Sequence, residues 1–286
     1  MKKNAATQKE ILIVKASGET EPFSSAKLRR SLERSKASSS AIEKIQHIIQ
    51  KELVPGMKTS DIYRRAFSLL RKYERGSAGR YSLNYAIMEL GPSGYPFEKL
   101  VGELFALEGF STEVGKVVSG YCVNHEIDVI AQKDNQHLMV ECKFHNQPGI
   151  KTDVKVALYI EARFQDVEKA WKQNASHAQK FHEAWLVTNT KLTTDAISYA
   201  RCIGIKAIGW SYPAKDGLEV RIDRAGIHPI TCLTTLSRFQ KQQLLEEGIV
   251  LCKEIMDNKD KLSFLGLGES KTSTVIDEIN QLCFPK

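Results

Sequence analysis

The chain has 286 residues, 42% of them apolar, with 41 Lys and Arg against 34 Asp and Glu and a formal charge of +7. That length supports a sizeable core and two or three modules, and the basic balance mildly favours a polyanionic partner. Cys122, Cys142, Cys202, Cys232, Cys252 and Cys283 form no CxxC pair, which argues against a zinc site or a disulfide framework and fits a reducing, cytoplasmic setting. No apolar run reaches the roughly eighteen residues of a membrane span, and Met1-Lys2-Lys3 leads into polar residues, so neither a membrane helix nor a signal peptide is expected.

The first segment, 1–92, reads as a strand or small hairpin followed by helices. Ile11-Leu12-Ile13-Val14-Lys15 is β-prone, and Ser17-Gly18-Glu19 is a turn. Ser24-Ser25 can cap a helix that starts near Ala26. Apolar residues at Ile42, Ile45, Ile48 and Ile49, and at Ile62, Ala66, Leu69 and Leu70, predict helices over 41–53 and 60–72, and a further helix is expected over 77–90. Gly91-Pro92-Ser93-Gly94 is the clearest linker signal. The basic residues Arg64, Arg65, Arg71, Lys72, Arg75 and Arg80 read first as a solvated helix face, with contact to nucleic acid or phosphates as the alternative.

The run from Val14-Lys15 through Gly18 to Phe23 and Lys27-Leu28 resembles an ATP-cone domain. A lysine ending the first strand and another in the first helical turn can both reach a triphosphate, beside a helix N-terminus of partial positive charge. The resemblance implies an ATP or dATP effector held by Lys15 and Lys27, with Val14 against the base. Ala16 and Ser17 depart from the family's usual basic and acidic pair.

In the second segment, 93–215, Phe97, Leu100, Val101, Leu104 and Phe105 recur at helical spacing, with Gly109 ending the helix. Strands are predicted over 114–118, 121–131 and 137–144, then a helix over 151–174, a strand over 184–188, a helix over 194–203 and a strand over 205–210. This order predicts an α/β core with a mixed sheet. If the turn in Lys133-Asp134-Asn135-Gln136 is centred on Asp134-Asn135, antiparallel partners have numbers summing to 269, so Asp128 faces Glu141. Glu141 and Lys143 share a strand face. Two acids and an amine then converge beside apolar strands, an arrangement that favours a bound cation.

Tyr95-Pro96-Phe97-Glu98, Glu108-Gly109-Phe110, His125-Glu126-Ile127-Asp128, Glu141-Cys142-Lys143 and the late Leu186-Val187-Thr188-Asn189 and Thr194-Asp195-Ala196 stretches together resemble the PD-(D/E)XK nuclease superfamily, most closely the Mrr-like restriction endonucleases. The resemblance implies a divalent cation, magnesium or manganese, held by Asp128, Glu141 and the backbone carbonyl of Cys142, with Glu98 as an outer acid and Lys143 beside the scissile phosphate. Glu103 is a weaker candidate for the role of Glu98. His125 and His145 stay outside the site, and Tyr159, Glu161 and Arg163 on the next helix read first as a polar helix face, with side chains pointing into the cleft as the alternative.

The third segment, 226–286, is expected to be helical. Leu265-Gly266-Leu267-Gly268 ahead of Val275, Ile276 and Ile279 resembles a helix-hairpin-helix, and a plain packing unit is an equal alternative. The expectation is therefore an α/β multidomain chain: a small, mainly helical ATP-cone, a central restriction-endonuclease-like mixed sheet and a C-terminal helical region. Its resemblances imply a magnesium-dependent DNA endonuclease under ATP or dATP control, acting as a homo-oligomer in defence against foreign DNA. The alternatives are a non-catalytic nucleotide-sensing DNA-binding regulator and a structure-specific repair nuclease. No Gly-x4-Gly-Lys-Ser/Thr loop is present, so the nucleotide reads as an effector rather than a fuel.

Overall fold

A computed structural model describes residues 11–15, 17–134, 136–173 and 181–284. The chain divides into two compact units, Met1–Ser82 and Leu83–Lys286. The division falls ahead of the Gly91-Pro92-Ser93-Gly94 stretch because Leu83, Ala86, Ile87 and Leu90 bury in the core of the second unit.

The first unit opens with an antiparallel hairpin of β1 (Leu12–Val14) and β2 (Thr20–Pro22), joined through Gly18 at φ 87°. Four helices follow: α1 (Ser25–Arg34), α2 (Ser39–Glu52), α3 (Thr59–Tyr73) and α4 (Arg75–Tyr81). Ser24 and Ser38 cap α1 and α2, accepting from Lys27 N and Ala41 N and so satisfying N–H groups that have no partner within the helix. Leu28, Leu32, Ile42, Ile45, Ile49, Ile62, Ala66 and Leu70 form one apolar cluster, the periodic residues of three amphipathic helices.

The helix expected over 77–90 is broken. It ends at Tyr81, and α5 (Leu83–Met88) begins beyond Ser82, which closes the last turn of α4 by donating its N–H to Ala78 O and its hydroxyl to Gly79 O.

In the second unit α6 (Tyr95–Leu107) precedes β3 (Ser111–Ser119), β4 (Asn124–Lys133), β5 (Gln136–Lys143) and the short β6 (Lys151–Thr152). Then come α7 (Val154–Gln173), β7 (Phe181–Thr188), β8 (Lys191–Leu192), α8 (Thr194–Ile203) and β9 (Lys206–Ile208). Five strands form one sheet in the order β3-β4-β5-β7-β9, antiparallel through β5 and parallel beyond it, with β6 and β8 paired separately. The parallel neighbours are reached through α7 and α8, since parallel strands need a crossover.

Val129, Ala131, Leu138, Val140 and Val187 point to the face covered by α6. Ile130, Met139, Ala184 and Leu186 point to α7 and α8. The near-continuous apolar character of β4 and β5 follows from this burial on both faces.

The chain ends in α9 (Leu218–Ala225), α10 (Arg238–Glu246), α11 (Cys252–Asp257) and α12 (Glu269–Cys283). Ile222, Leu244, Ile255, Val275, Ile279 and Leu282 of these helices join the cluster that includes α6 and the sheet. A buried carboxylate, Glu278, ties α12 to the segment before α10 by accepting from Thr234 N, Thr234 Oγ1 and Thr235 N at 2.6–2.9 Å. Ahead of the Gly266–Gly268 turn lies a 3-10 segment, Lys259–Leu265, so that hairpin joins a 3-10 turn to an α-helix. Among the described residues no helix is long and apolar enough to cross a membrane.

Candidate active site

The β4–β5 ladder pairs Val129 with Val140, Ala131 with Leu138 and Lys133 with Gln136, so partners sum to 269. Asp134 takes a left-handed φ of 52° in the turn, and Asn135 lies outside the described residues. Past Val129↔Val140 the regular pairing stops, and a side chain continues it: Cys142 N donates to Asp128 Oδ2 at 2.6 Å.

Asp128 can turn sideways because the alternation of β4 slips there. Val129 faces α6 while Ile127 faces α7 beside Ile130, so neighbours two apart lie on opposite faces. On β3, Val114 and Val118 likewise pack on opposite sides. Between the pairs Val114↔Val129 and Lys116↔Ile127 the ladder skips Gly115, which has φ 65°. A left-handed residue opposite Asp128 is a bulge-like device that re-aims a side chain.

Glu141 is 6% exposed on the α7 side of β5. Arg163 of α7 donates through Nη1 to Glu141 Oε2 and through Nη2 to the Glu126 carbonyl. The other carboxylate oxygen, Glu141 Oε1, is buried and has no hydrogen-bond partner. Lys143, two residues on, is exposed at the strand end. Its ammonium has no hydrogen-bond or ion-pair partner among the described residues.

Glu98 comes from the first turn of α6, where Pro96 suits a helix start. Gly94 makes room for it, since a Cβ there would lie 3.0 Å from Glu98 Oε1. Burial pushes Glu98 up to about 7, and the charges of Asp128 and Glu126 add to the rise. Burial likewise raises Glu141 to about 8, with Asp128 adding and Arg163 opposing. Asp128 is raised by burial, against which the Cys142 N–H holds its charged form. Burial also lifts the Cys142 thiol, with Asp128, Glu98 and Glu141 adding to it.

Glu98, Asp128 and Glu141 thus crowd one end of the sheet and disfavour one another's ionisation, with the charge of Glu126 adding to the effect on Glu98 and Asp128. Among the described residues, no three His, Cys, Asp or Glu side chains close into a ready metal cage. The set Asp128, Glu141 and Cys142 carbonyl asks for only two such side chains. The orphaned oxygen of Glu141 and the mutual repulsion of the acids both fit a hard divalent cation.

The other residues singled out in the sequence sort differently. Glu103 ion-pairs with Lys253 and does not join the acids. His125 Nε2 lies 2.8 Å from Asp166 Oδ2; the same carboxylate accepts from Val123 N through Oδ2 and from Cys122 N through Oδ1, and so binds the β3–β4 turn to α7. That pairing holds the Asp166 carboxyl down to about 2. A Cβ at Gly120 would meet Asp166 Oδ2 and, at 2.5 Å, Val123 O, so this turn requires glycine. His145 Nε2 is 3.1 Å from Thr152 Oγ1, and burial lowers its pKa, assisted by Lys143. Glu161 accepts from Tyr199 Oη, and Tyr159 is exposed with Arg163 over its ring at 5.3 Å.

Arg163 follows the second of the two sequence readings of α7: it turns into the site rather than lying on a polar outer face. Its signal was there: it lies three residues after Ile160 and four before Val167, inside the buried stripe of α7.

In the first unit, Val14 donates its N–H to Met57 O at 3.0 Å. Lys15 and Lys27 converge on one carboxylate, lying 3.4 and 3.0 Å from Glu21 Oε2. Lys27 first and Lys15 second hold the Glu21 carboxyl below its usual range. Of the basic residues on α3 and α4, Arg64 and Arg65 pair with Asp61 and Glu52, and Arg80 is buried.

A five-stranded mixed sheet flanked by helices, with acids gathered where β4 and β5 part, defines a restriction-endonuclease-type domain. Residues 91–209 match the family described as restriction endonuclease, Mrr_cat, and residues 228–283 match that described as AF1548-like, C-terminal. The chain is 39% identical over 183 residues to an uncharacterized protein of Archaeoglobus fulgidus, a match covering 64% of this chain and 99% of that one. It is also similar to the crystal structure of a protein of unknown function, AF1548, with 38% identity and a TM-score of 0.54 over 68% of this chain and all of that one. The chain belongs to this AF1548-like family, and its nuclease domain is of restriction-endonuclease type.

Proposed function

We infer that the protein is a metal-dependent endonuclease that hydrolyses DNA phosphodiester bonds at the acids of β4 and β5. One observation carries this reading: Glu141 presents a buried, unpartnered oxygen beside Asp128, with the unpaired ammonium of Lys143 two residues along the same strand. Asp128, Glu141 and the Cys142 carbonyl would hold magnesium or manganese, with Glu98 as an outer acid. When bound, that cation would polarise the phosphate and acidify the attacking water.

The residues of the chain supply the rest. The Cys142 N–H fixes Asp128 as an acceptor aimed across the strand gap. Lys143 offers three donors to the non-bridging phosphate oxygens and to the charge that grows on them. The raised affinity of Glu98 for a proton suits it to take one from water ordered at the site. Arg163 keeps charge on Glu141 tolerable without the cation, and its guanidinium can pass to a phosphate once the carboxylate has another partner.

The first unit would act as an ATP or dATP sensor of the ATP-cone kind, controlling activity through assembly of a homo-oligomer. Lys15 and Lys27 support this, because they already share an anionic partner in Glu21 that a polyphosphate could replace. The six free thiols fit a reducing cytoplasm, and a role against foreign DNA follows the Mrr-like character of the domain.

The test is plasmid and linear-duplex cleavage with magnesium, with and without ATP and dATP, for the native chain and for Asp128→Ala and Lys143→Ala. Cleavage lost in both variants supports the reading. Cleavage equal to that of the native chain in either variant overturns the site. No cleavage by the native chain under any condition leaves a non-catalytic regulator as the better reading.

A further inference from the structure

A cavity of about 450 Å³ opens in the nuclease unit between the loop after β5, the turn after α5 and the first turns of α10. It is lined by Tyr85, Glu89, Asn146, Thr231, Arg238 and Lys241 among others. Its size falls within the roughly 300–1,000 Å³ of small-ligand sites.

Two features mark it as built for a ligand. Thr231 is 4% exposed, and its hydroxyl oxygen is buried with no hydrogen-bond partner. A buried, unmade hydrogen bond is costly, and Thr231 is one of the residues that border this space. Arg238, in the first turn of α10, has no hydrogen-bond or ion-pair partner among the described residues, and that turn carries no acid. Lys241 lies three residues on, on the same helix face, with its ammonium 2.7 Å from Thr231 O. Two cations against the single carboxylate of Glu89 leave the lining positive.

We propose that this cavity binds one nucleotide. Arg238 and Lys241 take the phosphate, and the Tyr85 ring, with Met88 and Leu245, offers faces to a planar base. Thr231 Oγ1 meets a polar atom of the base edge, and Glu89 accepts from an exocyclic amine, which adenine, cytosine and guanine have and thymine lacks. Asn146 follows Lys143 by three residues, at most about 10 Å of chain. A nucleotide near the scissile phosphate can therefore reach the cavity if it leaves the base stack, as it does in enzymes that read a base outside the duplex. The extrahelical source rests on the endonuclease reading; the cavity itself does not.

The experiment uses the full chain in EDTA, so that no cleavage occurs. One arm titrates dAMP, dCMP, dGMP and TMP by calorimetry. The other follows fluorescence of duplexes carrying 2-aminopurine at single positions, with total duplex binding read by anisotropy. Thr231→Val, nearly isosteric, and Arg238→Gln, at an exposed site, are compared with the native chain after thermal melts show both folded.

The expected result is a fluorescence rise at one position that Thr231→Val weakens about fivefold, the loss of one hydrogen bond, while duplex affinity changes less. Binding of free nucleotides alone, with the same dependence on Thr231 and Arg238, supports the cavity and makes its ligand a free nucleotide. Nucleotide binding in a chain that cleaves no DNA with magnesium sinks the endonuclease reading and leaves the cavity. No nucleotide-dependent heat and no 2-aminopurine response, or responses indifferent to both substitutions, overturn the proposal whatever the chain cleaves.

Discussion

Arg163 Nη1 holds Glu141 Oε2 while Oε1 of the same carboxylate lies buried without a partner. The two side chains are 11% and 8% exposed, so this pair is shielded from water on both sides. A carboxylate half-occupied by a guanidinium leaves one oxygen on which the proposed divalent cation would bind, with Arg163 as its counter-ion meanwhile.

Removing that counter-ion has opposite effects on stability and on metal affinity. Arg163→Met leaves Glu141 with no cation, at an expected cost of about 2 kcal/mol near pH 9 in EDTA. Near pH 6 the cost is small, because the Glu141 carboxyl, raised to about 8, holds its proton there. The same variant binds magnesium more tightly, having lost the competing guanidinium. Thermal melts at the two pH values, with and without magnesium, check both parts.

Without a divalent cation the fold loses stability as pH rises from about 4.5 to 8. Glu98 and Glu141 keep their protons up to about 7 and 8 in the folded chain, against 4.5 as the ordinary value. Over that window the unfolded chain has released protons that the folded chain still holds, so stability falls with pH. Stability is complete below the lower value and the loss is complete above the upper one. Magnesium reverses the loss by paying the repulsion among the acids, and Glu98→Gln flattens the slope. Melting temperature against pH, with EDTA or magnesium, is the measurement.

Lys143→Ala is expected to cut the cleavage rate by about 10²–10³-fold, the scale of one lost charge-stabilising donor. Its affinity for DNA without metal should change only a few-fold, since one phosphate contact is a small part of the electrostatic total. Single-turnover cleavage and anisotropy separate the two. A loss seen equally in binding would make Lys143 a DNA clamp rather than a catalytic group.

Glu21 sits between the two lysines proposed to hold a triphosphate. Glu21→Gln should therefore tighten ATP or dATP binding several-fold, while Lys15→Ala and Lys27→Ala weaken it about tenfold. Equilibrium dialysis with labelled nucleotide reads this directly. Unchanged affinity in all three variants would remove the first unit from nucleotide binding.

The hairpin that carries the site was legible in the sequence because two short-range signals agree. Polar turn residues at 133–136 lie between apolar runs, and a tight turn leaves one register, the one seen in Val129↔Val140. The periodic helices of the first unit were legible for a similar reason: their apolar stripes repeat every three or four residues and bury together. The helix expected across 77–90 is two helices, since periodicity does not register that Ser82 closes one and that the next begins a different unit.

The sequence by itself determined the order of the five sheet strands and the helices between them, though not the short β6 at the head of the helix expected over 151–174 or β8, and it brought Asp128 near the strand of Glu141, because strand period and turn chemistry act over a few residues. Only the tertiary structure decided that alternation slips at Asp128 opposite Gly115, that Arg163 reaches Glu141 across 22 residues of chain, and that α9–α12 share one core with the sheet. Those outcomes depend on which surfaces exclude water together, and such packing joins residues whose separation along the chain carries no local signal.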